Sequence, residues 1–120
     1  LDIQVEYHIE PDTENIQPTM MARRNIYLIF KEAINNIAKY SKASEVSVML
    51  RVEGPSLVLS IADNGVGFEL DVASGGNGLS TMRRRAESLH GKLIMHASPG
   101  KGTRLDLEVQ IAKISDSHVS

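Results

Sequence analysis

Val46-Ser47-Val48-Met49-Leu50-Arg51-Val52-Glu53-Gly54-Pro55-Ser56-Leu57-Val58-Leu59-Ser60-Ile61-Ala62-Asp63 is the stretch that decides the fold. Val46, Val48, Leu50 and Val52 alternate with Ser47, Met49 and Arg51, the period of a strand with one covered face. Gly54-Pro55 reads as a tight turn. Leu57, Leu59 and Ile61 then alternate with Val58, Ser60 and Ala62, so the second half is the hairpin partner of the first. Asp63 closes the hairpin with the parity of Leu57, Leu59 and Ile61, so its carboxylate is expected on the covered side.

Outward from the hairpin the pattern changes period. On the N-terminal side, Leu1 to Glu10 reads as a strand with Ile3, Val5, Tyr7 and Ile9 inward, and polar Pro11 to Pro18 as a loop. Thr19 is placed to cap a helix from about Met20 to Tyr40. Ile26, Ile29, Phe30, Ala33, Ile34 and Ile37 form its apolar stripe. On the C-terminal side, a glycine-rich stretch from Asp63 to Gly78 leads into a second helix, Leu79 to His90. Leu79, Met82, Ala86 and Leu89 share one face of it, and Gly91 is expected to terminate it. Leu93, Met95 and Ala97 alternate, Pro99 to Gly102 turns the chain, and Thr103, Leu105, Leu107, Val109 and Ile111 alternate again. These elements predict an α/β (α+β) two-layer sandwich: an antiparallel-rich sheet with one wet face, covered on the other by two helices. The predicted domain is 1–111, with 112–120 a disordered polar tail.

Bulk composition narrows the classes. A chain of 120 residues holds one domain. The net charge of -2 speaks against a general nucleic-acid binder, which would be basic. With no cysteine there is neither a disulfide nor a thiolate metal site. No apolar run approaches the roughly 20 residues of a membrane span. No signal peptide is recognised, and the start at Leu1 rather than Met implies a piece of a longer protein.

The chemistry concentrates at four places. Glu32, Asn36 and Lys39 are four and three residues apart and so share a helix face. A carboxylate, an amide oxygen and an ammonium in a row suit a hydrated Mg²⁺ and a polyphosphate, although a solvated face has the same spacing. An inward Asp63 needs a partner. An exocyclic amine of adenine would serve, and so would the first position of an Asp-Asn-Gly turn. Thr103 shares the inward parity of Leu105, Leu107 and Val109 and could help read the same base, or serve only as a good strand former. Gly75-Gly76-Asn77-Gly78 opens the second helix, where free N–H groups suit phosphate. Rossmann and P-loop readings both fail, because no strand precedes these glycines in a βαβ unit and there is no Gly-Lys-[Ser/Thr]. Arg83, Arg84 and Arg85 follow, one of them within reach of a triphosphate or all of them facing solvent or a neighbouring domain. His8, His90, His96 and His118 have no metal-ligand spacing.

In order along the chain, these pieces resemble the GHKL ATPases (Bergerat fold, HATPase_c), the superfamily of gyrase, Hsp90, histidine kinases and MutL. Lys31 to Tyr40 resembles the N box, Asp63-Asn64-Gly65-Val66-Gly67 the G1 box, Gly76-Asn77-Gly78-Leu79 the G2 box, and Gly102-Thr103 the Gly-Thr that closes the nucleotide site. The run Gly78 to Ala86, with Gly91-Lys92-Leu93 and Ser98 to Thr103, is similar to sensor histidine kinases of the DesK/NarX type. The short segment Phe68 to Gly75 leaves little room for an ATP lid.

The resemblance implies ATP and Mg²⁺ as cofactors. It implies that Asn36 holds Mg²⁺, that Glu32 orients its water shell or assists proton transfer, and that Lys39 meets phosphate. Asp63 would read adenine with Thr103. Gly65 and Gly67 would shape the pocket, Gly76 and Gly78 the lid hinge and phosphate loop, and Leu79 of the G2 box would also lie at the nucleotide. Tyr40 stands where these kinases often carry His. The implied reaction donates the ATP γ-phosphoryl to a histidine on a separate dimerisation domain, absent here, so this piece alone would bind ATP without autophosphorylating. The implied partners are that domain, in a homodimeric parent, and a response regulator. The implied location is cytoplasmic, on a parent open to membrane anchoring. An anti-sigma-factor serine kinase and a non-catalytic GHKL docking module are the alternatives.

Overall fold

The computed structural model describes residues 3–65, 78–97 and 102–115. The hairpin is present as β2 (Glu45–Glu53) and β3 (Ser56–Asp63), joined at Gly54-Pro55. Its antiparallel register sets Leu57 opposite Val52, Leu59 opposite Leu50, Ile61 opposite Val48 and Asp63 opposite Val46. Gly54 takes a φ of +56°, in the left-handed region where glycine carries no steric penalty.

Around this pair the sheet grows to five strands. β1 (Gln4–Ile9) lies parallel to β2, β5 (Thr103–Gln110) antiparallel to β3, and β4 (Gly91–Ala97) antiparallel to β5, in the order β1-β2-β3-β5-β4. One face carries α1 (Met20–Asn36) and α2 (Gly78–Ser88). The expected two-layer, antiparallel-rich sandwich is therefore the observed one, with a single parallel pair at one edge.

Period-two and period-3.6 residues meet in the core. Val46, Val48, Leu57, Leu59, Ile61, Leu105, Leu107 and Val109 project from the sheet onto Ala22, Ile29, Ala33 and Ile37 of the first helix and Leu79, Met82, Ala86 and Leu89 of the second. All four positions expected on the inner face of α2 are buried. On α1, Ile29, Ala33 and Ile37 are buried, while Ile26, Phe30 and Ile34 pack at the margin. Thr19 is the N-cap: its hydroxyl oxygen accepts the Ala22 N–H at 3.1 Å, satisfying one of the helix's orphan donors.

The sequence-based picture needs five adjustments. The open face of the sheet is not wet at its centre. Val58 and Ser60 are buried there, because Arg51 lies across from Val58 and donates from Nη1 to Ser60 Oγ at 2.9 Å, its stem screening the strand. Of the four inward residues expected on β1, Ile3 and Val5 pack against the core, while Tyr7 and Ile9 are exposed on this edge strand. Pro11–Asn15 is a 3-10 helix rather than a plain loop, started by proline at its first turn.

Gly91 does not terminate α2. His90, with φ +55°, takes the left-handed position, its N–H donating to Glu87 O at 2.9 Å. Gly91 instead begins β4, where a Cβ would lie 2.6 Å from Val109 Cγ1 and 2.8 Å from Glu108 O. Finally, β5 ends at Gln110 rather than Ile111. Ile111–Ile114 forms a helical turn, α3, whose Ile114 is 1% exposed and whose Ile114 carbonyl accepts the Thr19 N–H at 2.8 Å. Packed chain thus continues to Ser115, beyond the boundary expected at 111; the rest of the expected tail, 116–120, lies outside the described residues.

Candidate functional site

At its C-terminal end α1 changes pitch. Asn36 is its last α-helical residue, and Ile37–Ser41 continues as a single π turn before Lys42 takes a left-handed φ of +56°. Single π turns inside helices are uncommon and recur at functional sites. Glu32 and Asn36 are brought together as their spacing requires: Asn36 Nδ2 donates to Glu32 Oε1 at 3.3 Å. Asn36 is 5% exposed and Glu32 half-buried, so this part of the stripe is not a solvated face. Lys39, carried on the π turn, is exposed.

Asp63 ends β3 facing the covered side, 8% exposed, as its parity requires. Its Oδ1 accepts the Gly65 N–H at 2.7 Å. The Asp-Asn-Gly turn and the buried carboxylate are therefore one arrangement, not alternatives. Gly65 is itself buried. Gly102 passes so close that a Cβ there would overlap the Asp63 carbonyl oxygen, and its φ is +81°. Only glycine fits on both counts. Thr103 follows as the first residue of β5, 5% exposed. Since Ala62 pairs with Arg104, Thr103 comes beside Asp63 at the same end of the sheet.

A cavity of about 640 Å³ opens at this end. Val5, Val46 and Asp63 line it from the covered side, Gln4, Glu6, Ser47 and Ala62 from the open side, and Glu45 and Asn64 complete the lining. Its lining among the described residues comes from the ends of β1, β2 and β3 and from Asn64.

Gly78 begins α2 and Leu79 is buried in its first turn as a core residue. Arg83 and Arg84 are exposed. Arg85 is half-buried and donates from Nη1 to Asn25 Oδ1 at 3.4 Å, tying α2 to α1. The expectations for Gly67, Gly76 and His118 fall outside the described residues, as does the turn at Pro99. Sequence reasoning passed over Asn64, whose side chain bonds Ser44 and Glu45. Only the middle position of Asp-Asn-Gly could have drawn attention to it.

The family model for histidine kinase-, DNA gyrase B- and HSP90-like ATPases matches residues 21–113, from the first turn of α1 to α3. The chain belongs to this ATPase family. It is 34% identical over 104 residues to the sensor histidine kinase LiaS of Bacillus subtilis, covering 86% of this chain and 29% of LiaS. It is 32% identical over 113 residues to the sensor histidine kinase ComP of the same organism, covering 90% of this chain and 15% of ComP. The chain thus spans less than a third of the length of these relatives. The histidine kinase domain of the blue-light activated kinase of Erythrobacter litoralis superposes with a TM-score of 0.77 at 18% identity, over 92% of this chain and 52% of that one, a likeness of fold. Within this ATPase domain the matched span takes in the Glu32–Asn36 pair, Asp63 and Thr103 together.

Proposed function

We propose that this chain is the ATP-binding catalytic domain of a sensor histidine kinase. The observation that carries the reading is the buried Asp63 carboxylate, set by the Gly65 N–H and closed over by Gly102 and Thr103. A fixed acceptor at the end of a strand suits the exocyclic amine of adenine and rejects guanine, which presents a carbonyl there. Thr103 supplies a second polar group for the same base.

The donor set on α1 fits Mg²⁺. Glu32 and Asn36 offer hard oxygen atoms one turn apart, and Mg²⁺ keeps several waters and leans on substrate phosphates. Among the described residues no group of three or more His, Cys, Asp or Glu could cage an ion. Because Asn36 Nδ2 donates to Glu32, the amide oxygen is the atom to meet the ion, and Glu32 would orient the waters around it. Bound Mg²⁺ would neutralise phosphate charge. Lys39 would meet the phosphates, with Gly65 and Gly67 shaping the pocket, Gly76 and Gly78 the hinge and phosphate loop, and Leu79 anchoring the start of α2 in the core beside them.

In the whole protein the acceptor would be a histidine on a separate dimerisation domain. Its imidazole nitrogen would attack the γ-phosphorus as the bond to the bridging oxygen breaks and ADP departs. Such transfer depends on positioning and charge neutralisation, which is what these residues provide. The parent would be a homodimer, of the DesK/NarX-like subgroup, that passes the phosphoryl group to a response-regulator aspartate. This domain would lie on the cytoplasmic side. No helix among the described residues is long and apolar enough to cross a membrane.

Calorimetric titration with a non-hydrolysable ATP analogue, with and without Mg²⁺ and with GTP as control, tests the nucleotide half. The expected result is binding strengthened by Mg²⁺, with GTP silent. Incubation with γ-labelled ATP and the parent's dimerisation domain tests the kinase half. Acid-labile label on that domain is expected, and binding without label would restrict the chain to nucleotide binding.

A further inference from the structure

Asn64 makes a set of bonds that the nucleotide reading leaves unused. Its Oδ1 accepts two backbone N–H groups, those of Ser44 and Glu45, each at 3.0 Å. Its Nδ2 donates to Ser44 Oγ at 3.0 Å, and its own N–H donates to Glu45 O at 3.2 Å. All of these bonds reach across about twenty residues of chain to the point where the π turn after α1 gives way to β2. The backbone on either side is held as well, since Ser44 O accepts the Gln4 N–H at 2.9 Å and Ala43 is buried in the core, but these contacts tie it to β1 and the helix layer rather than to the end of β3. Lys42 is a non-glycine residue at φ +56°, and the three residues between Ser41 and Glu45 belong to neither helix nor strand. Just before them lie Asn36 and Lys39; just before Asn64 lies Asp63.

We infer that Asn64 is a positioning residue. It fixes the exit of the Asn36–Lys39 helix against the end of β3, and so sets the phosphate end of the site at a defined distance from the base end. This rests on the nucleotide reading above. Asp63 itself is held without Asn64's side chain, by pairing with Val46 and by the Gly65 N–H. Loss of the Asn64 side chain should therefore disturb the phosphate end and spare the base end. Asn64→Asp keeps both acceptances from Ser44 and Glu45, and the Ser44 hydroxyl can turn to donate to the second oxygen. Asn64→Ala removes all three side-chain bonds.

The experiment measures affinity for Mg²⁺·ADP and for adenosine by calorimetry, and amide hydrogen exchange across residues 37–45, in the parent chain, Asn64→Ala and Asn64→Asp. In Asn64→Ala, exchange at Ser44 and Glu45 should quicken and ADP affinity should fall, each by at least about tenfold, as expected for losing three ordinary hydrogen bonds, while adenosine affinity moves less than about twofold. Asn64→Asp should restore protection. Unchanged exchange and ADP affinity in Asn64→Ala would overturn the inference. So would ADP and adenosine affinity falling in equal proportion, which would mark general loosening. A parent chain that binds neither ligand would sink the nucleotide reading and this role with it, whereas binding by the parent with an indifferent Asn64→Ala sinks only the role of Asn64.

Discussion

At Asp63 one carboxylate both anchors a turn and stands buried at the end of a strand, and these two duties separate on substitution. Asn at this position can still accept the Gly65 N–H through its amide oxygen, so the turn and the fold should survive. What changes is the second position of the side chain, where a neutral amide replaces a charged acceptor. A hydrogen bond to a charged group contributes about 1.5–3 kcal/mol, roughly 10- to 150-fold in affinity. Asp63→Asn should therefore weaken ATP binding at least about tenfold by calorimetry, with an unchanged circular dichroism spectrum. Equal affinity in the two proteins would refute the adenine assignment. Asp63 and Thr103 were legible in advance because strand parity alone puts them inward, and both are buried. The Glu32–Asn36 pair was legible from helical spacing. Asn64 was not, because its bonds join residues 19 and 20 apart, a proximity that no local pattern encodes. Nor could spacing say which of Arg83, Arg84 and Arg85 would turn toward α1.

Helices and strands were readable wherever burial follows their period, as in β5, whose residues alternate buried and outward along its whole length. Reading failed where an element ends. Gly91 looked like a helix terminator because glycine usually takes the left-handed position after a last turn. Here His90 takes that position, and Gly91 is small for another reason: β4 starts hard against β5. The π turn after Asn36 was equally hidden, since the residues from Ile37 to Ser41 carry no breaker. The two explanations for Gly91 predict different outcomes for alanine. At a left-handed terminator the penalty would be backbone strain. Gly91 has no positive φ, so the penalty is overlap of the new methyl with Val109 Cγ1 and the Glu108 carbonyl, backbone that cannot easily give. Overpacking of this kind costs about 1–3 kcal/mol. Gly91→Ala should lower the urea midpoint accordingly, and the combined change with Val109→Ala should lose less than the sum of the two single changes, because the smaller neighbour makes room. Strict additivity would point away from the close contact.

Across the whole molecule, the two ends of α1 serve different purposes. The Asn36 end carries the proposed phosphate and Mg²⁺ residues. The other end is fastened by the last described residues of the chain: Thr19 N–H donates to Ile114 O, Pro18 bridges to Ser115, and Ile114 is among the most completely buried side chains. With 1.5 Å per residue, Thr19 and Asn36 are about 25 Å apart along the helix. The hydrophobic patterning of the last strand did not reveal this closure, because a single isoleucine after a polar lysine has no period to announce it. Its burial makes a separable prediction. Ile114→Ala removes a fully packed branched side chain and should destabilise the fold by about 2–5 kcal/mol in urea unfolding. The nucleotide affinity of the protein that remains folded should change less than about twofold, since substitutions acting at well-separated points are nearly independent. A large loss of affinity at a temperature where Ile114→Ala is still fully folded would mean that strain at the Thr19 end travels along α1 to Asn36, and the helix would then have to be treated as a lever rather than a fixed wall of the site.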